Sequence, residues 1–409
     1  MKAARDIDLC VLGTGPVAAA VALGAVRLGA SCVLMAPEGP AAEDGVVALA
    51  ALAAALRRGS RDWPAVRTAL RQAADAAGRA TAPDRLRAMG VTLPAGPGRF
   101  LSPHELAADG RSWRPRRTVV VAPADRPSAI ATALEWDTLP PRLCIAGNGP
   151  AALALAQGLA RLGVGVTLAA DGPPLTAFDP ELAGFPLRRL AADGVIFGAG
   201  EASAPRLAAE DPRPALDGLG LTEAGIAWNA ATGIRTDAGG RTRNRRVWAV
   251  PFAVPRAPAD LAAGVLRGAL LRLPARRPVP MAATFTDPGL AQVGLDEAAA
   301  RAEGRPFRLL RWPLADADPV GGGEGLVKAV VDRRGRVLGA GIAAPNAAEL
   351  IAPWSLAVAR RLPAGALAEA PLPWPSAAEA GRLAAASALA PLLLSGRLQR
   401  WVRLMLRLG

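Results

Sequence analysis

The chain has 409 residues, which is more than one average domain needs and enough for two or three. Hydrophobic residues make up 51% of it, so large cores can form and global disorder is excluded. The formal net charge is +13, but the arginines are scattered and no RNA-binding signature occurs. We therefore predict no nucleic-acid partner, and attraction to anionic cofactors or to a membrane surface fits the charge better.

Three cysteines, Cys10, Cys32 and Cys144, each lie in a short apolar run typical of a buried strand. None has another cysteine at metal-ligand spacing, so no metal site is expected. This sparse, odd count suits a reducing compartment, and no signal-peptide pattern precedes the first strand. The sequence thus predicts a cytoplasmic protein, and its longest apolar stretches, residues 46–56 and 383–394, are too short to cross a bilayer.

Residues 7–36 have the pattern of one βαβ unit, with strands at 7–12 and 31–35 and a helix at 17–28. Residues 40–90 are predicted to be mostly helical, and residues 91–124 to form strands and turns. A second βαβ unit follows at 142–171. The two units are an internal repeat, because CVLGTGPVAAAVALGAVRLGASCVLMA returns as CIAGNGPAALALAQGLARLGVGVTLAA.

From about residue 276, strand-like and helical segments alternate, which predicts an α+β domain. The segments are 282–285, 295–303, 326–331, 337–342 and 347–360. The tail, residues 396–409, is a cationic amphipathic segment.

Both repeats carry the dinucleotide fingerprint, Gly13-x-Gly15-x-x-Ala18 and Gly147-x-Gly149-x-x-Ala152. The first glycine permits a tight turn, the second admits a pyrophosphate, and the small third residue lets helix and strand pack closely. The alternative is a doubly wound domain whose turns no longer hold a nucleotide.

An acidic residue that binds ribose is expected after the second strand of each unit. The first unit has Ala36 there, and Glu38 lies beyond a proline. The second unit has Ala170 followed by Asp171, which either binds a ribose or is a solvated turn residue.

Several later segments resemble the sequence motifs of a known protein family. Residues 285–297 read FTDPGLAQVGLDE, residues 325–328 read GLVK, and residues 348–351 read AELI. With the two glycine turns, these segments resemble the pyridine nucleotide-disulfide oxidoreductases, closest to mercuric reductase and dihydrolipoyl dehydrogenase. The resemblance covers nearly the whole chain.

The resemblance implies an α/β fold with two Rossmann-like three-layer dinucleotide-binding domains and a C-terminal α+β dimerisation domain. It implies an FAD-type domain at residues 1–135, a shortened NAD(P)-type domain at 136–218, a return to the FAD-type domain at 219–275, a dimerisation domain at 276–382 and a tail at 383–409. A homodimer is expected.

The resemblance also implies the cofactors and their contacts. FAD would lie on Gly13, Gly15, Pro16 and Ala18. NAD(P) would lie on Gly147, Gly149, Ala152 and Asp171.

The departures from the family pattern bear on activity. The family places a Cys-x4-Cys pair shortly after the second strand, and residues 39–51 contain no cysteine. Because a dithiol passes electrons between flavin and substrate, its absence predicts loss of disulfide chemistry.

Other family contacts are replaced. The ATG turn reads Ala122-Pro123-Ala124, and the ribityl-binding aspartate of YAxGD is Phe252. The glutamate beside the nicotinamide is Ala154, and the His-Pro-Thr segment with its glutamate reads Trp374-Pro375-Ser376 with Glu379. Trp374 cannot act as a general base, so it and Glu379 fit interface packing better.

Four arginines of the tail lie near one helical face, opposite Leu398, Trp401, Val402 and Met405. This pattern fits either an anionic membrane surface or a helix docked on its own dimer.

Two hypotheses of function follow. One is a flavin-only NAD(P)H oxidoreductase with a quinone-like or other small acceptor. The other is a pseudoenzyme, a dimeric scaffold or regulatory protein without turnover, and the number of replaced contacts favours it.

Overall fold

The computed structural model describes residues 2–36, 45–199, 204–230, 232–252, 256–274, 279–317, 323–393 and 395–408. The chain divides into two compact units. Residues 1–141 with 207–278 form the first unit, and residues 142–206 with 279–409 form the second.

Two stretches of the chain, residues 2–134 and residues 142–197, each begin with a strand, a glycine turn and a helix. The elements of the first stretch are β1 (Lys2–Gly13), α1 (Gly15–Arg27), β2 (Cys32–Met35), α2 (Val46–Arg57), α3 (Trp63–Gly78), α4 (Pro83–Ala88), β3 (Val91–Thr92), β4 (Arg99–Ser102), β5 (Glu105–Ala108), β6 (Arg111–Val121) and α5 (Ala129–Leu134). Those of the second stretch are β7 (Arg142–Ala146), α6 (Pro150–Arg161), β8 (Gly165–Ala169), α7 (Pro180–Ala192) and β9 (Ile196–Phe197).

Short strands follow, and then the C-terminal region. The short elements are β10 (Arg206–Ala208), β11 (Trp228–Asn229), β12 (Gly233–Ile234), β13 (Val247–Ala249) and α8 (Pro258–Ala269). The C-terminal elements are β14 (Met281–Ala283), β15 (Gly289–Gly294), α9 (Glu297–Ala302), β16 (Phe307–Pro313), β17 (Leu326–Asp332), β18 (Val337–Ala344), α10 (Ala347–Leu350), α11 (Ala352–Arg360), α12 (Ala364–Ala368), α13 (Ala378–Ser387), α14 (Ala390–Leu393) and α15 (Gly396–Leu408).

The sheet of the first unit has the order β3-β2-β1-β6-β5-β4, with β13 also paired to β6. Strands β3, β2, β1, β6 and β13 run parallel, whereas β5 pairs antiparallel with β6 and β4 pairs antiparallel with β5. Gly13 is in register with Val121, so the glycine turn lies at the carboxyl edge of the parallel strands. Nucleotides bind at this edge in doubly wound folds.

The two faces of this sheet are both buried, because β1 alternates its side chains between two cores. Leu9 and Val11 pack with α1 and α8 on one face. Cys10 and Leu12 pack on the other face, with residues of β4, β5 and the segment 216–226. A strand that is covered on both sides has a continuous apolar sequence, as residues 9–12 do.

The second unit contains a parallel arrangement of β7, β8 and β9 and a five-stranded antiparallel sheet. The latter has the order β14-β15-β18-β17-β16, and α11 and α13 cover its apolar face. The sequence predicted an α+β domain here but did not single out β15 or β16. Strand β15 is buried from residue 289 to 293, so it lacks the alternation that marks a strand in sequence.

Candidate dinucleotide sites and buried ion clusters

The first glycine turn has the geometry that the fingerprint predicts. β1 ends at Gly13, and α1 begins at Gly15, whose φ is +79°. A Cβ at Gly13 would lie 2.6 Å from the Val121 Cβ and 2.7 Å from the Val121 carbonyl oxygen, so only glycine fits. Pro16 occupies the first turn of α1, where no side chain caps the helix.

Ala18 is fully buried and allows α1 to pack closely on the sheet. The four predicted residues of this turn are therefore brought together. The backbone N–H groups that begin α1 have no side-chain partner and are free to face an anion.

Among the described residues, the end of β2 beside the first turn carries no polar side chain. The Gly98 N–H donates to the Ala36 carbonyl at 3.1 Å, so backbone lies against the end of β2. A Cβ at Gly98 would lie 2.5 Å from the Met35 Cβ. Glu38 and residues 39–44, which belong to the stretch where the family has its cysteines, lie outside the described residues.

The other flavin contacts of the family are apolar here. Phe252 packs against the second core of the first unit, and Ala122 is buried in that core. Pro123 is also buried, and its carbonyl accepts from the Ala215 N–H at 2.9 Å. The first turn thus fits a dinucleotide pyrophosphate, whereas Ala36 and Phe252, the described residues that align with the ribose and ribityl contacts of the family, carry no carboxylate.

The second glycine turn is also preserved. The Gly147 N–H donates to the Ala169 carbonyl at 2.9 Å, which joins the turn to the end of β8. Gly149 is the extended residue before α6, and Ala152 is fully buried. The Leu175 N–H donates to the Asn148 carbonyl at 3.0 Å, so the segment after β8 folds back onto the turn.

Asp171 lies two residues beyond β8 and is exposed. In the described part of the chain it makes no hydrogen bond or ion pair. Its carboxylate is accessible from solvent, and its part in ribose binding stays a prediction. Ala154, which replaces the glutamate of the family, is buried and apolar.

The three thiols are free and buried, as the sequence predicted. Cys10 and Cys32 sit on neighbouring strands, but their side chains point to opposite faces of the sheet. Burial raises the pKa of the Cys10 thiol, and it raises that of Cys32 to about 12. Cys144 belongs to the other unit. Thiols in this state are poor nucleophiles.

The C-terminal segment presents an exposed tryptophan, since Trp374 is 77% exposed. Glu379, which in the family supports a histidine, is instead paired with Arg382. The Arg382 Nε donates to the Glu379 Oε2 at 2.8 Å, and a second contact joins the Arg382 Nη2 to the Glu379 Oε1. The Arg382 guanidinium holds the pKa of Glu379 below its usual value.

A buried ion cluster centres on Lys328, which the sequence showed only as part of a motif. Its Nζ lies 2.8 Å from the Asp179 Oδ2, 2.9 Å from the Glu181 Oε2 and 2.8 Å from the Glu297 Oε2. Lys328 is 6% exposed, and the Gln292 Oε1 accepts the Asp179 backbone N–H at 2.8 Å.

Contacts within this cluster shift the pKa values of Lys328 and Glu297. Burial alone lowers the pKa of Lys328, but hydrogen bonds to Asp179, Glu297 and Glu181 outweigh it and raise that pKa. The hydrogen bond from Lys328 in turn lowers the pKa of Glu297. The cluster joins α7 to the antiparallel sheet within the second unit.

A second cluster explains the FTDP segment. The Arg161 Nη1 donates to the Asp287 Oδ2 and its Nε to the Asp193 Oδ2, both at 2.8 Å. The Gln157 side chain donates to the Asp287 carbonyl and accepts from the Asp287 N–H. Helix α6, which begins at the second glycine turn, is thereby held to the loop before β15.

The described residues carry neither a metal-ligand cluster nor a membrane-spanning helix. No group of three or more histidine, cysteine, aspartate or glutamate side chains is placed to hold a metal ion there. In the same ranges, no helix has the length and apolar character needed to cross a bilayer.

The two turns, each between a parallel strand and a helix, define the class of two-dinucleotide-fold proteins. Residues 280–385 match the dimerisation domain of the pyridine nucleotide-disulphide oxidoreductases. The mercuric reductase of Acidithiobacillus ferrooxidans is 30% identical over 282 residues, which cover 61% of this chain and 51% of that protein. The dihydrolipoyl dehydrogenase of Thermus scotoductus is 28% identical over 325 residues, which cover 66% of this chain and 69% of that protein.

Solved structures agree on the fold. The HOCl-induced flavoprotein disulfide reductase RclA of Escherichia coli, solved as a Cu(II) complex, has a TM-score of 0.79 at 18% identity, covering 94% of this chain and 99% of that one. LpdA of Mycobacterium tuberculosis has a TM-score of 0.79 at 23% identity, and the match covers 93% of this chain and 99% of that one.

The chain is similar in sequence and in fold to the pyridine nucleotide-disulfide oxidoreductases. The predicted fold class is confirmed as well. The chain spans about half the length of the mercuric reductases that it matches.

Proposed function

We propose that this protein is a dimeric member of the family that keeps the dinucleotide folds but does not reduce disulfides. The observation that carries the proposal is the state of the thiols. All three are buried in strands, and the two on neighbouring strands face opposite cores. Dithiol chemistry needs two accessible thiols within bonding distance, one of them ionised at neutral pH.

Cofactor binding is the second part of the proposal. The turns at Gly13 and Gly147 supply backbone N–H groups for the pyrophosphates of FAD and NAD(P), and Asp171 is accessible for a ribose hydroxyl. FAD, when bound, would accept hydride equivalents from NAD(P)H. The apolar residues Ala36 and Phe252 stand where relatives hold the ribose and ribityl chain, so we expect weak FAD binding and impaired turnover.

An active flavin-only NAD(P)H oxidoreductase is the second candidate function. The observation in its favour is that both glycine turns retain their tight geometry, with Gly15 at a φ of +79° and Gly147 at 149°. Glycine turns of this shape are expected where a backbone must approach a phosphate. A quinone-like or other small molecule would be the electron acceptor.

The visible spectrum of the purified protein distinguishes the two candidates. A scaffold is expected to be colourless and to gain no flavin absorption after incubation with excess FAD. An oxidoreductase is expected to be yellow and to bleach anaerobically with NADH or NADPH. Such bleaching would overturn the scaffold proposal, and disulfide reduction by the purified protein would overturn the absence of dithiol chemistry.

We further propose a homodimer formed through residues 276–382, with the other domain boundaries as the sequence indicates. The match of residues 280–385 to a dimerisation domain supports this. Exposed large side chains in that region, Trp374 at 77% and Leu356 at 55%, are available to be covered by a partner.

The C-terminal helix α15 supports peripheral association with an anionic membrane from the cytoplasm, which we propose as the third part of the function. No described side chain of α15 is buried: Leu398 is half-buried and the others are exposed, including Trp401 at 58% and Leu406 at 77%. Its four arginines, Arg397, Arg400, Arg403 and Arg407, have no acidic residue beside them in the helix. A second copy would also carry the net charge of +13, so charge favours an anionic lipid surface as the occupant.

Vesicle sedimentation tests this association. The full chain is expected to pellet with phosphatidylglycerol vesicles, less so as salt rises, and not with phosphatidylcholine alone. A triple variant Leu398→Gln, Trp401→Gln, Met405→Gln should stay in solution, whereas the exposed control Leu28→Gln should pellet. Equal pelleting of triple variant and wild type would contradict the proposal, and a triple variant that turns monomeric would assign α15 to the dimer instead.

A further inference from the structure

Four arginines lie close to one another in the first unit, away from the glycine turn, and two of them contact Trp248. The Arg117 Cζ lies 5.9 Å from the centroid of the Trp248 ring, and the Arg241 Cζ lies 5.4 Å from it. Both distances fall within the range of cation–π contact. Trp248 itself is buried, so its ring is a fixed platform beneath the two guanidinium groups.

A backbone hydrogen bond places Arg246 near Arg117, and Arg272 is close enough for its charge to act on Arg117. The Thr118 N–H donates to the Arg246 carbonyl at 2.9 Å, which sets Arg246 beside Arg117. Arg272 follows α8 with a φ of +53°. Burial lowers the pKa of Arg117, and the positive charges of Arg272, Arg246 and Arg241 lower it further, so the four groups are close enough to repel one another.

Within the described residues, no carboxylate forms a salt bridge with Arg117, Arg241, Arg246 or Arg272. The side-chain donors that are used reach only carbonyl oxygens, from Arg117 to Arg116 and from Arg241 to Arg245. The Asp237 Oδ1 accepts from the backbone N–H of Arg241 at 3.0 Å, not from its guanidinium group. Three of the four side chains are exposed, so they are free to turn towards a ligand. Like charges held together without a counter-ion destabilise the fold unless an anion binds.

The cluster is distinct from the dinucleotide site of the same sheet. Arg117 is in register with Leu9, whereas Val121 is in register with Gly13. Four residues of strand separate the two positions, which corresponds to about 13 Å. The arginines therefore lie towards the amino end of the parallel strands, and the glycine turn lies at the carboxyl end.

We propose that the arginine cluster around Trp248 is a binding site for a small multivalent phosphate, of the pyrophosphate class. Guanidinium groups bind phosphate oxygens through paired N–H donors, and several are needed to hold a multivalent anion against water. The site does not require flavin or turnover, so it stands apart from the function proposed above.

Thermal unfolding of the full chain tests the site. Inorganic pyrophosphate, added at an ionic strength held constant with NaCl, is expected to raise the Tm in a saturable manner. The double variant Arg246→Gln, Arg272→Gln should weaken the apparent affinity by at least about tenfold, because two charge-assisted contacts are lost. The control variant Arg58→Gln, Arg85→Gln removes two exposed, unpaired arginines elsewhere in the same unit and should leave the affinity unchanged.

Charge repulsion among the four arginines allows a second test, which measures stability without a ligand. At low salt and without phosphate, the double variant should be at least as stable as the wild type, because two like charges are removed. An ADP titration distinguishes a nucleotide from the free anion as the natural ligand. If ADP binds more tightly than pyrophosphate and the double variant loses that binding, the ligand is a nucleotide. If ADP and pyrophosphate bind equally, the ligand is the free anion. Overturning results would be an unchanged Tm at all pyrophosphate concentrations, or an equal shift in the wild type and the double variant.

Discussion

Lys328 shows how one residue organises the second unit. It is buried against Asp179, Glu181 and Glu297, and Arg311 contacts two of these carboxylates from the exposed side, at 2.9 Å and 3.7 Å. The sequence presented Lys328 only as the end of the GLVK segment. Its role became visible when the fold brought it to Asp179, about a hundred and fifty positions earlier in the chain.

Substitution of Lys328 by methionine is expected to destabilise the protein strongly. The change leaves three carboxylates without their shared cation, and breaking a buried ion pair in this way costs about 3–5 kcal/mol. Urea unfolding measures the loss. The control Arg301→Gln removes an exposed partner of Glu297 and should cost less than about 0.5 kcal/mol. Equal midpoints for Lys328→Met and the control would show that the cluster contributes nothing.

Acid should weaken the wild type through the same cluster. The pKa of Glu297 is lowered from its ordinary 4.5, so its contribution is complete above that pH and is lost as pH falls through the lower, folded-state value. Lys328 has a raised pKa and stays charged throughout this range.

In Lys328→Met the carboxylates repel one another, so acidification should cost less stability than in the wild type. The measurement is the free energy of unfolding between neutral pH and pH about 3, where wild-type carboxylates begin to protonate. Parallel pH profiles for the two proteins would be inconsistent with this assignment.

At the scale of elements, the turn between β1 and α1 depends on glycine for packing as well as for conformation. A Cβ at Gly13 would meet the backbone and side chain of Val121, neither of which can move without disturbing the pairing of β1 with β6. Gly78, at the end of α3, has no heavy atom within 4 Å of the equivalent position.

Gly13→Ala is therefore expected to destabilise the fold by about 1–3 kcal/mol, as overpacking does elsewhere. Gly78→Ala should instead stabilise α3 by up to about 1 kcal/mol, because alanine is the better helix former. Paired urea titrations compare the two variants. A Gly13→Ala protein as stable as the wild type would mean that β1 and β6 are less tightly joined than the distances indicate.

For the whole molecule, the proposed dimer gives a direct expectation. Sedimentation equilibrium should return twice the monomer mass, and Trp374→Asp should shift the population towards monomer, since a charge buried at an apolar contact is costly. The exposed residue Met89 lies in the other unit, so Met89→Asp serves as the control. A monomeric wild type would remove the dimer from the proposal while leaving the fold and the family unchanged.

The sequence alone determined the features that depend on local pattern. Glycine spacing predicted both turns, and both have the expected backbone shape. Apolar runs predicted the buried cysteines, because short-range periodicity reports burial directly. The sequence did not single out β15, because the burial of this strand on both faces removed the alternation of apolar and polar residues. It did not single out β16 either.

Only the tertiary structure decided where the charges meet. Arg161 reaches Asp287, Lys328 reaches Asp179, and Arg117 reaches Trp248. Each of these contacts joins residues more than a hundred positions apart in the sequence. Sequence patterns report which residues are apolar and how they repeat, whereas a salt bridge depends on the packing of whole elements, which has no local signal.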